Sequence, residues 1–245
     1  MIFVYFILGS IFGSFYNVVI FRLPKNLSII SPRSHCFNCK KTIPFYLNIP
    51  ILSYLICLGN CFYCKSKISI QYLLIEISTG LLWSYGLLNY NFETAILFLW
   101  MTGILSIIAV IDLKYYIIPT SLIFLAFFGL LIYNLVYTSN LKDSIVGLLF
   151  GLSYLGGTAI ITSKIFKKQT LGFGDILLII ILGTWLGLIK VAITIFFSAT
   201  IALIVWIIMS FSRGFKINYK LPFGFYLSIT SIIVYILKFE YNLFF

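Results

Sequence analysis

The sequence Gly172-Phe173-Gly174-Asp175 separates a basic segment at residues 164–168 from a long apolar run that begins at Ile176. Its aspartate is therefore predicted at or just inside a membrane face, where a charge is costly and usually functional. The chain contains only two other aspartates, and one of them, Asp112, also ends an apolar run. Two carboxylates that meet in a poorly hydrated site can activate a water molecule, so the pair predicts an aspartyl protease of the membrane.

The composition is that of a membrane protein rather than of a soluble domain. Of the 245 residues, 62% are hydrophobic and only 9% are charged. Such a chain must place most of its length in lipid, and we predict an all-α polytopic protein with a single membrane domain over residues 1–245. The net charge of +11 does not indicate a nucleic-acid partner, because the basic residues fall in short loops between apolar segments.

Eight apolar runs are predicted as transmembrane helices, each of which needs about 17–25 mostly apolar residues. The segment between the first two runs, residues 22–67, is the only sizeable extramembrane insert, and residues 94–245 would form the core that carries both aspartates. The sixth run is short and only a tight turn separates it from the seventh. The runs lie near residues 1–21, 68–88, 94–112, 117–137, 143–163, 174–189, 191–211 and 221–239.

The lysines and arginines are distributed very unevenly between the two sides of these spans. Fourteen fall in the 22–67 insert and in the loops on its side, whereas only Lys142, Lys190 and Lys238 fall on the other side. Since cytoplasmic loops carry the excess of Lys and Arg, the insert is predicted to be cytosolic and both termini to be outside. The same alternation places Asp112 and Asp175 together at the cytosolic face.

Four cysteines in the insert form two Cys-x-x-Cys pairs, Cys36 with Cys39 and Cys61 with Cys64, separated by 21 residues. This spacing is typical of structural zinc sites, in which each pair turns two thiolates toward one ion. A loop of this size buries too little core to fold alone, which gives a metal a physical reason to be present. Two disulfides or unrelated thiols are the alternatives. Four thiolates leave no open position, so catalysis by the zinc is not expected.

The two aspartates are the predicted catalytic residues. Close carboxylates share one proton, so one would act as general base on a water and the other as general acid toward the peptide, with neither role assigned to a named residue. Gly172 and Gly174 would allow close approach or unusual backbone, and Pro119 interrupts the connection after Asp112. The alternative for Asp175 alone is a helix cap.

With these residues identified, the chain resembles the type IV prepilin peptidase family. The segment from Gly13 to Pro24 looks like the opening motif of that family, and the cysteine-rich loop with Asn48-Ile49-Pro50 resembles its zinc-binding segment. Asp112 with Ile118-Pro119, and Gly172-x-Gly174-Asp175, resemble its two catalytic aspartate motifs. Pro222-Phe223-Gly224 resembles a late motif near the last span. Together these motifs extend over nearly the whole chain.

The resemblance implies a bifunctional enzyme of the bacterial cytoplasmic (inner) membrane that serves pilus, secretion or competence systems. Its substrates would be prepilins or pseudopilins, with a short basic leader, a glycine before the cut and an apolar helix after it. Cleavage would occur on the cytosolic side. The resemblance also implies methylation of the new N-terminal amine with S-adenosylmethionine, an activity associated with the N-terminal region and the cytosolic loop.

The residues alone support methylation only weakly, because no Gly-x-Gly-x-x-Gly motif is present and the insert is too short for a nucleotide-binding domain. Glu76, an acid near the cytosolic end of the second span, is the main candidate for binding the ammonium group of the substrate. Pairing with a neighbouring helix or with Arg22 is the alternative for this acid. Asn17 and Arg22, in the opening motif, are the further candidates.

Several positions depart from the family pattern, and one of them lies two residues after a predicted catalytic residue. Leu177 stands where a lysine commonly follows the second aspartate, which removes a positive charge near the pair. The competing hypotheses are a transporter or channel that uses the aspartates to bind ions, and a non-catalytic pilus-assembly scaffold. Neither is favoured, because both aspartates are predicted at one face and no repeat is visible.

Overall fold

The computed structural model describes residues 1–137, 141–168, 171–213 and 220–237. Within these residues the secondary structure is helical, apart from two isolated bridges in the cysteine-rich insert. Short 3₁₀ turns lie at Leu23–Lys25 and Phe45–Asn48. The α-helices are α1 (Ile2–Arg22), α2 (Leu52–Ile56), α3 (Gln71–Asn89), α4 (Phe92–Tyr115), α5 (Thr120–Val136), α6 (Leu141–Phe166), α7 (Phe173–Arg213) and α8 (Phe223–Ile236).

Among the described residues, four helical segments are long and apolar enough to cross a membrane. The eight predicted spans are therefore not confirmed, although the helical class and the apolar character are. α5 has 17 residues and α8 has 14, both short for a span that needs about 20. Lys216, Lys238 and the end of the last predicted span lie outside the described residues. The four segments are Ile2–Lys25, Phe92–Tyr115, Leu141–Phe166 and Phe173–Phe211.

The long helix α7 is interrupted at Gly187, close to the tight turn that the sequence predicts before residue 191. Gly187 has φ +75° and ψ −178°, a conformation that is essentially confined to glycine. The carboxylate of Asp143, from the first turn of α6, packs against this glycine and accepts a hydrogen bond from the Leu188 amide at 3.3 Å. The third aspartate of the chain therefore supports the start of the second half of α7.

The chain divides into two compact units, the first of which comprises Met1–Gly103. Here α1 and α3 pack closely through small residues. A Cβ atom at Gly9 would lie 2.6 Å from Cβ of Trp83, and one at Gly13 would lie 2.9 Å from Cα of Glu76. A Cβ atom at Gly80 of α3 would lie 2.7 Å from Oγ of Ser10. Small residues allow helices in lipid to approach closely, and the Gly9-x-x-x-Gly13 spacing is typical of such an interface.

The second unit comprises Ile104–Phe245 and holds the later helices. α7 packs against α5, α6 and α8, and the side chains at the centre of this unit are almost fully buried. Gly147 of α6 and Gly183 of α7 bring their backbones into direct contact. The predicted boundaries of the insert and of the core at residue 94 remain predictions. The fully buried core residues include Ile108, Ile111, Leu178, Leu182 and Leu227.

Candidate active site and metal centre

The four predicted zinc ligands converge in the first unit. The Sγ atoms of Cys36, Cys39, Cys61 and Cys64 all lie within 4.8 Å of one another. The Sγ atoms of Cys36 and Cys64 are 3.7 Å apart, and a tetrahedron with Zn–S bonds of about 2.3 Å has an edge of about 3.8 Å. These cysteines are free thiols rather than disulfides. The cluster therefore has the dimensions and the donor set of a four-thiolate metal site.

The two Cys-x-x-Cys segments have the same backbone conformation. In the first, the Lys40 amide donates to the Cys36 carbonyl at 2.9 Å, and in the second the Lys65 amide donates to the Cys61 carbonyl at 3.0 Å. Each lysine has a positive φ, of 59° and 57° respectively, which turns the chain back on itself. Both segments therefore form the same tight turn, and each turn directs two sulfur atoms to one point.

Ser66 contacts the sulfur cluster from outside. Its Oγ atom lies 3.1 Å from Sγ of Cys64 and 3.7 Å from Sγ of Cys36. Hydrogen bonds from the side chain and the backbone of Ser66, with smaller ones from Cys61 and Cys36, lower the pKa of the Cys64 thiol to about 6, which favours the thiolate form that binds metals. His35, the only histidine, contacts the Arg33 carbonyl and is not part of the cluster.

Glu76 is buried in α3, where its carboxylate accepts a hydrogen bond from the Ile51 amide at 2.7 Å. Ile51 has φ +64°, which a β-branched residue rarely adopts, and it immediately precedes α2. On the α1 side, Gly13 packs against the backbone of Glu76, and Ser14 lies close to its carboxylate. This carboxylate therefore joins α1, α3 and the insert, a connection that the sequence pattern does not reveal.

The other two candidates for methyl transfer are also buried and hydrogen-bonded to the backbone. Asn17 donates to the Tyr72 carbonyl at 3.1 Å and accepts from the side chain of Gln71 at 3.4 Å. Arg22 donates to the carbonyls of Ser28 and Pro32 at 2.9 and 2.6 Å. Arg22 thus folds the start of the insert against α1 instead of forming the alternative pair with Glu76.

Asp112 lies in the last turn of α4 and is only 5% exposed. Its Oδ2 atom accepts a hydrogen bond from the Phe225 amide at 2.9 Å. A Cβ atom at Gly224 would lie 3.0 Å from the same oxygen, so only a glycine leaves room for it there. The start of α8 is therefore fitted to the carboxylate of Asp112, although the two are far apart in sequence.

Asp175 lies in the first turn of α7 and is half-buried. Its Oδ2 atom accepts a hydrogen bond from the Gly172 amide at 3.2 Å, the return contact that an acid in the first turn makes with the residue before the helix. Gly172 is therefore the N-cap residue and Asp175 the third residue of the helix, so Asp175 is not itself the N-cap of the alternative prediction. The segment that carries Asp175 also packs close to Asp112, through Ile118.

Ile118 links the segments that carry the two aspartates. A Cβ atom at Gly174 would lie 2.9 Å from Cβ of Ile118, and one at Gly224 would lie 2.6 Å from its Cδ1. Among the described residues only Gly59 and Gly187 are glycines with a positive φ, so Gly172 and Gly174 do not supply unusual backbone. Gly174 instead makes room for Ile118, and the adjacent Pro119 ends this connection at the start of α5.

The sequence prediction missed the roles of Ile118, Gly224 and Phe225. The signals were present, since Ile118 stands beside the candidate Pro119 and Gly224 belongs to the late motif Pro222-Phe223-Gly224. Nothing in the local pattern, however, shows that these residues meet. The structure brings together three segments that a linear motif search treats separately: the end of α4, the start of α7 and the start of α8.

Comparison with known proteins finds a matching family for each half of the chain. The bacterial peptidase A24 N-terminal domain matches residues 7–90, and the type IV leader peptidase family matches residues 96–207. The prepilin leader peptidase/N-methyltransferase of Vibrio cholerae is 33% identical, over 96% of this chain and 98% of the relative. The protein of that name from Pseudomonas aeruginosa is 30% identical, over 92% of this chain and 86% of the relative.

A further relative of the same name, from Neisseria gonorrhoeae, is 32% identical over 85% of this chain and 82% of its own length. No solved structure matches this chain. Matches of this extent include the helices that carry both aspartates and the insert that carries the four cysteines. The chain is therefore an integral membrane protein that belongs to the type IV leader peptidase family.

Proposed function

We propose that the protein is a membrane-face aspartyl endopeptidase that removes the leader peptide of prepilins or pseudopilins after a glycine. The observation that carries this proposal is that Ile118 packs against both Gly174, the residue before Asp175, and Gly224, which lies against the carboxylate of Asp112. The names of the relatives supply the reaction and the substrate class. Transport and scaffold functions have less support, because these relatives are peptidases and methyltransferases by name.

The proposed mechanism uses the two carboxylates as a pair. Two such groups at close range hold one proton between them, so one oxygen can accept a proton from water while the other carboxyl donates to the peptide. The Phe225 and Gly172 amides each occupy an Oδ2 atom, which fixes the orientation of both side chains. The free oxygens are then available to the water and the substrate. The proton belongs to the pair, and neither residue receives a separate role.

We further propose that the first unit methylates the new N-terminal amine, with S-adenosylmethionine as the methyl donor. The N-methyltransferase part of the relatives' names supports this activity. Glu76 is a buried carboxylate, and Oε1 of Gln71 is a buried acceptor without a hydrogen-bond partner among the described residues. Such acceptors suit a positively charged amine. Asn17 and Arg22 would hold this region in place through the backbone contacts that they make.

The proposal includes a structural zinc ion, bound by Cys36, Cys39, Cys61 and Cys64, and a defined membrane topology. Four thiolates whose sulfur atoms all lie within 4.8 Å of one another suit Zn²⁺, and they would use all of its coordination positions. The break at Gly187 would divide α7 into two spans and bring the total to eight, with both termini outside. The excess of basic residues in the insert supports an active site that faces the cytosol from the bacterial inner membrane.

The test is co-expression with a prepilin substrate, followed by mass measurement of the product. We expect the wild type to shorten the substrate, and Asp112→Asn and Asp175→Asn to leave it at full length. Asp143→Asn is the matched control, because it removes the same charge outside the site and its amide oxygen can still accept from Leu188. Cleavage by either site variant would disprove the paired mechanism. A product heavier by one methyl group would establish the second reaction.

A further inference from the structure

A groove runs along the second unit between α6 and the part of α7 that follows Gly187. It encloses about 580 Å³, a volume within the range of pockets that bind ligands. Its walls are mainly apolar and include Phe150 and Tyr154 of α6 and Ile195 and Phe196 of α7. None of these residues takes part in the proposed chemistry, so the groove is a feature that the paired carboxylates do not explain.

The groove reaches the start of α8, which also contacts the proposed active site. Phe223, the first residue of α8, forms part of the groove wall. The next residue, Gly224, lies against Asp112, and the amide of Phe225 donates to Oδ2 of Asp112 at 2.9 Å. A single turn at the start of α8 therefore contacts the groove on one side and a catalytic carboxylate on the other.

The walls of the groove also contain small side chains, which would allow a helix to approach closely. Thr158 of α6 and Ala192, Ala199 and Thr200 of α7 line it. Small residues and hydroxyl-bearing residues are enriched where helices associate in lipid, since no hydrophobic force drives that association.

We propose that this groove holds the apolar helix that follows the scissile bond of the substrate. The inference rests on the proposed function, because that function supplies a substrate whose apolar helix begins next to the cut. A helix rises about 1.5 Å per residue, so its first turns must lie close to the two carboxylates. The groove begins at that point, at Phe223, and continues along α6 and α7. It would therefore align the substrate helix and present the scissile bond to the pair.

Filling the groove tests the proposal through kinetics. Ala199→Trp would place an indole in the groove, while Ile204→Trp, at a half-exposed position of α7 outside the groove wall, is the matched control. We expect Ala199→Trp to raise KM for a full-length prepilin by about tenfold, the scale on which a bulky group changes a hydrophobic fit. Cleavage of a soluble peptide with the same leader but without the apolar helix should be unchanged. Ala199→Ser should behave as the wild type.

An equal loss on both substrates, or no loss on either, would overturn the proposal. A second measurement identifies the occupant directly: a photo-crosslinking amino acid at position 203, in the groove wall of the Asp175→Asn variant, is compared with one at position 124 on the exposed side of α5. We expect crosslinks from position 203 to the apolar helix of the prepilin. Crosslinks to lipid alone would contradict this. If the wild type cleaves neither substrate, the proposed function fails, and the crosslinking result still decides the groove.

Discussion

The metal centre and the paired aspartates are assembled in opposite ways. The cysteines come from one insert, where Cys36 and Cys64 are 28 residues apart, and each pair is formed by a tight turn of its own backbone. The hydrogen bond that orients Asp112 comes from Phe225, 113 residues away, and Ile118 holds two further segments in contact. The metal centre therefore depends on local geometry, and the aspartate pair depends on the packing of several helices.

This difference predicts that damage to the two sites will follow different patterns. Each site is built from residues of its own compact unit. A local site fails when a ligand is lost and tolerates distant changes. A packed site loses activity when a larger side chain is introduced at any of its distant packing contacts, even though the catalytic groups themselves remain.

Cys61→Ser should have the largest effect, which is a loss of metal affinity. Structural zinc sites bind with free energies of about 10–16 kcal/mol, so removing one of four thiolates should lower metal affinity by roughly a hundredfold to a thousandfold. Methylation should fall as well, because Glu76 is held against the insert through Ile51. Leader cleavage should change by only a few fold. Zinc content of the purified protein and product masses measure these effects, with Cys57→Ser, outside the cluster, as the control.

A loss of cleavage in Cys61→Ser as complete as that of the aspartate variants would contradict the contrast between the two sites. It would mean that the peptidase reaction depends on the folded insert. The control separates this outcome from a general sensitivity to the loss of a thiol.

Gly224→Val tests the packed site without altering a carboxylate. Its Cβ atom would lie 2.6 Å from Ile118 and 3.0 Å from Oδ2 of Asp112, so the side chains of the site must move. A displacement of about 1 Å in a catalytic group costs roughly a hundredfold in rate, and we expect a loss of that size in kcat/KM. Zinc content should not change. Ile233→Val, on the exposed side of the same helix, should retain full activity.

Gly187→Ala tests the same dependence on distant contacts at a position that performs no chemistry. The φ of +75° would be strained for alanine, and the new Cβ would clash with the carboxylate of Asp143. Backbone strain of this type costs about 1–3 kcal/mol. We expect a lower melting temperature in detergent, whereas Gly157→Ala, in a helix with open space around it, should not lower it. Equal melting temperatures for Gly187→Ala and the wild type would show that the backbone at this position accommodates alanine without a loss of stability.

The same contrast explains how much of the protein could be predicted from sequence. The helical class and the clustering of the cysteines follow from hydropathy and spacing, because both are local properties of the chain. The number of spans does not follow, since α5 and α8 are shorter than their apolar runs and Gly187 breaks a helix without a proline. The contacts of Ile118 and Phe225 arise from packing between helices, which no local pattern encodes.

Ser66→Ala should have the smallest effect, and it tests whether the metal centre depends on its immediate surroundings as well as on its ligands. The hydroxyl lies 3.1 Å from Sγ of Cys64 and lowers the pKa of that thiol. Losing a partner that supports a ligand typically weakens metal binding by about 10–100-fold, and this exposed loop should fall at the low end. Competition with a chelator measures the change. Ser69→Ala is the control, because its hydroxyl accepts from the Gln71 amide and not from a thiol. An affinity equal to that of the wild type would mean that the four sulfurs alone determine metal binding.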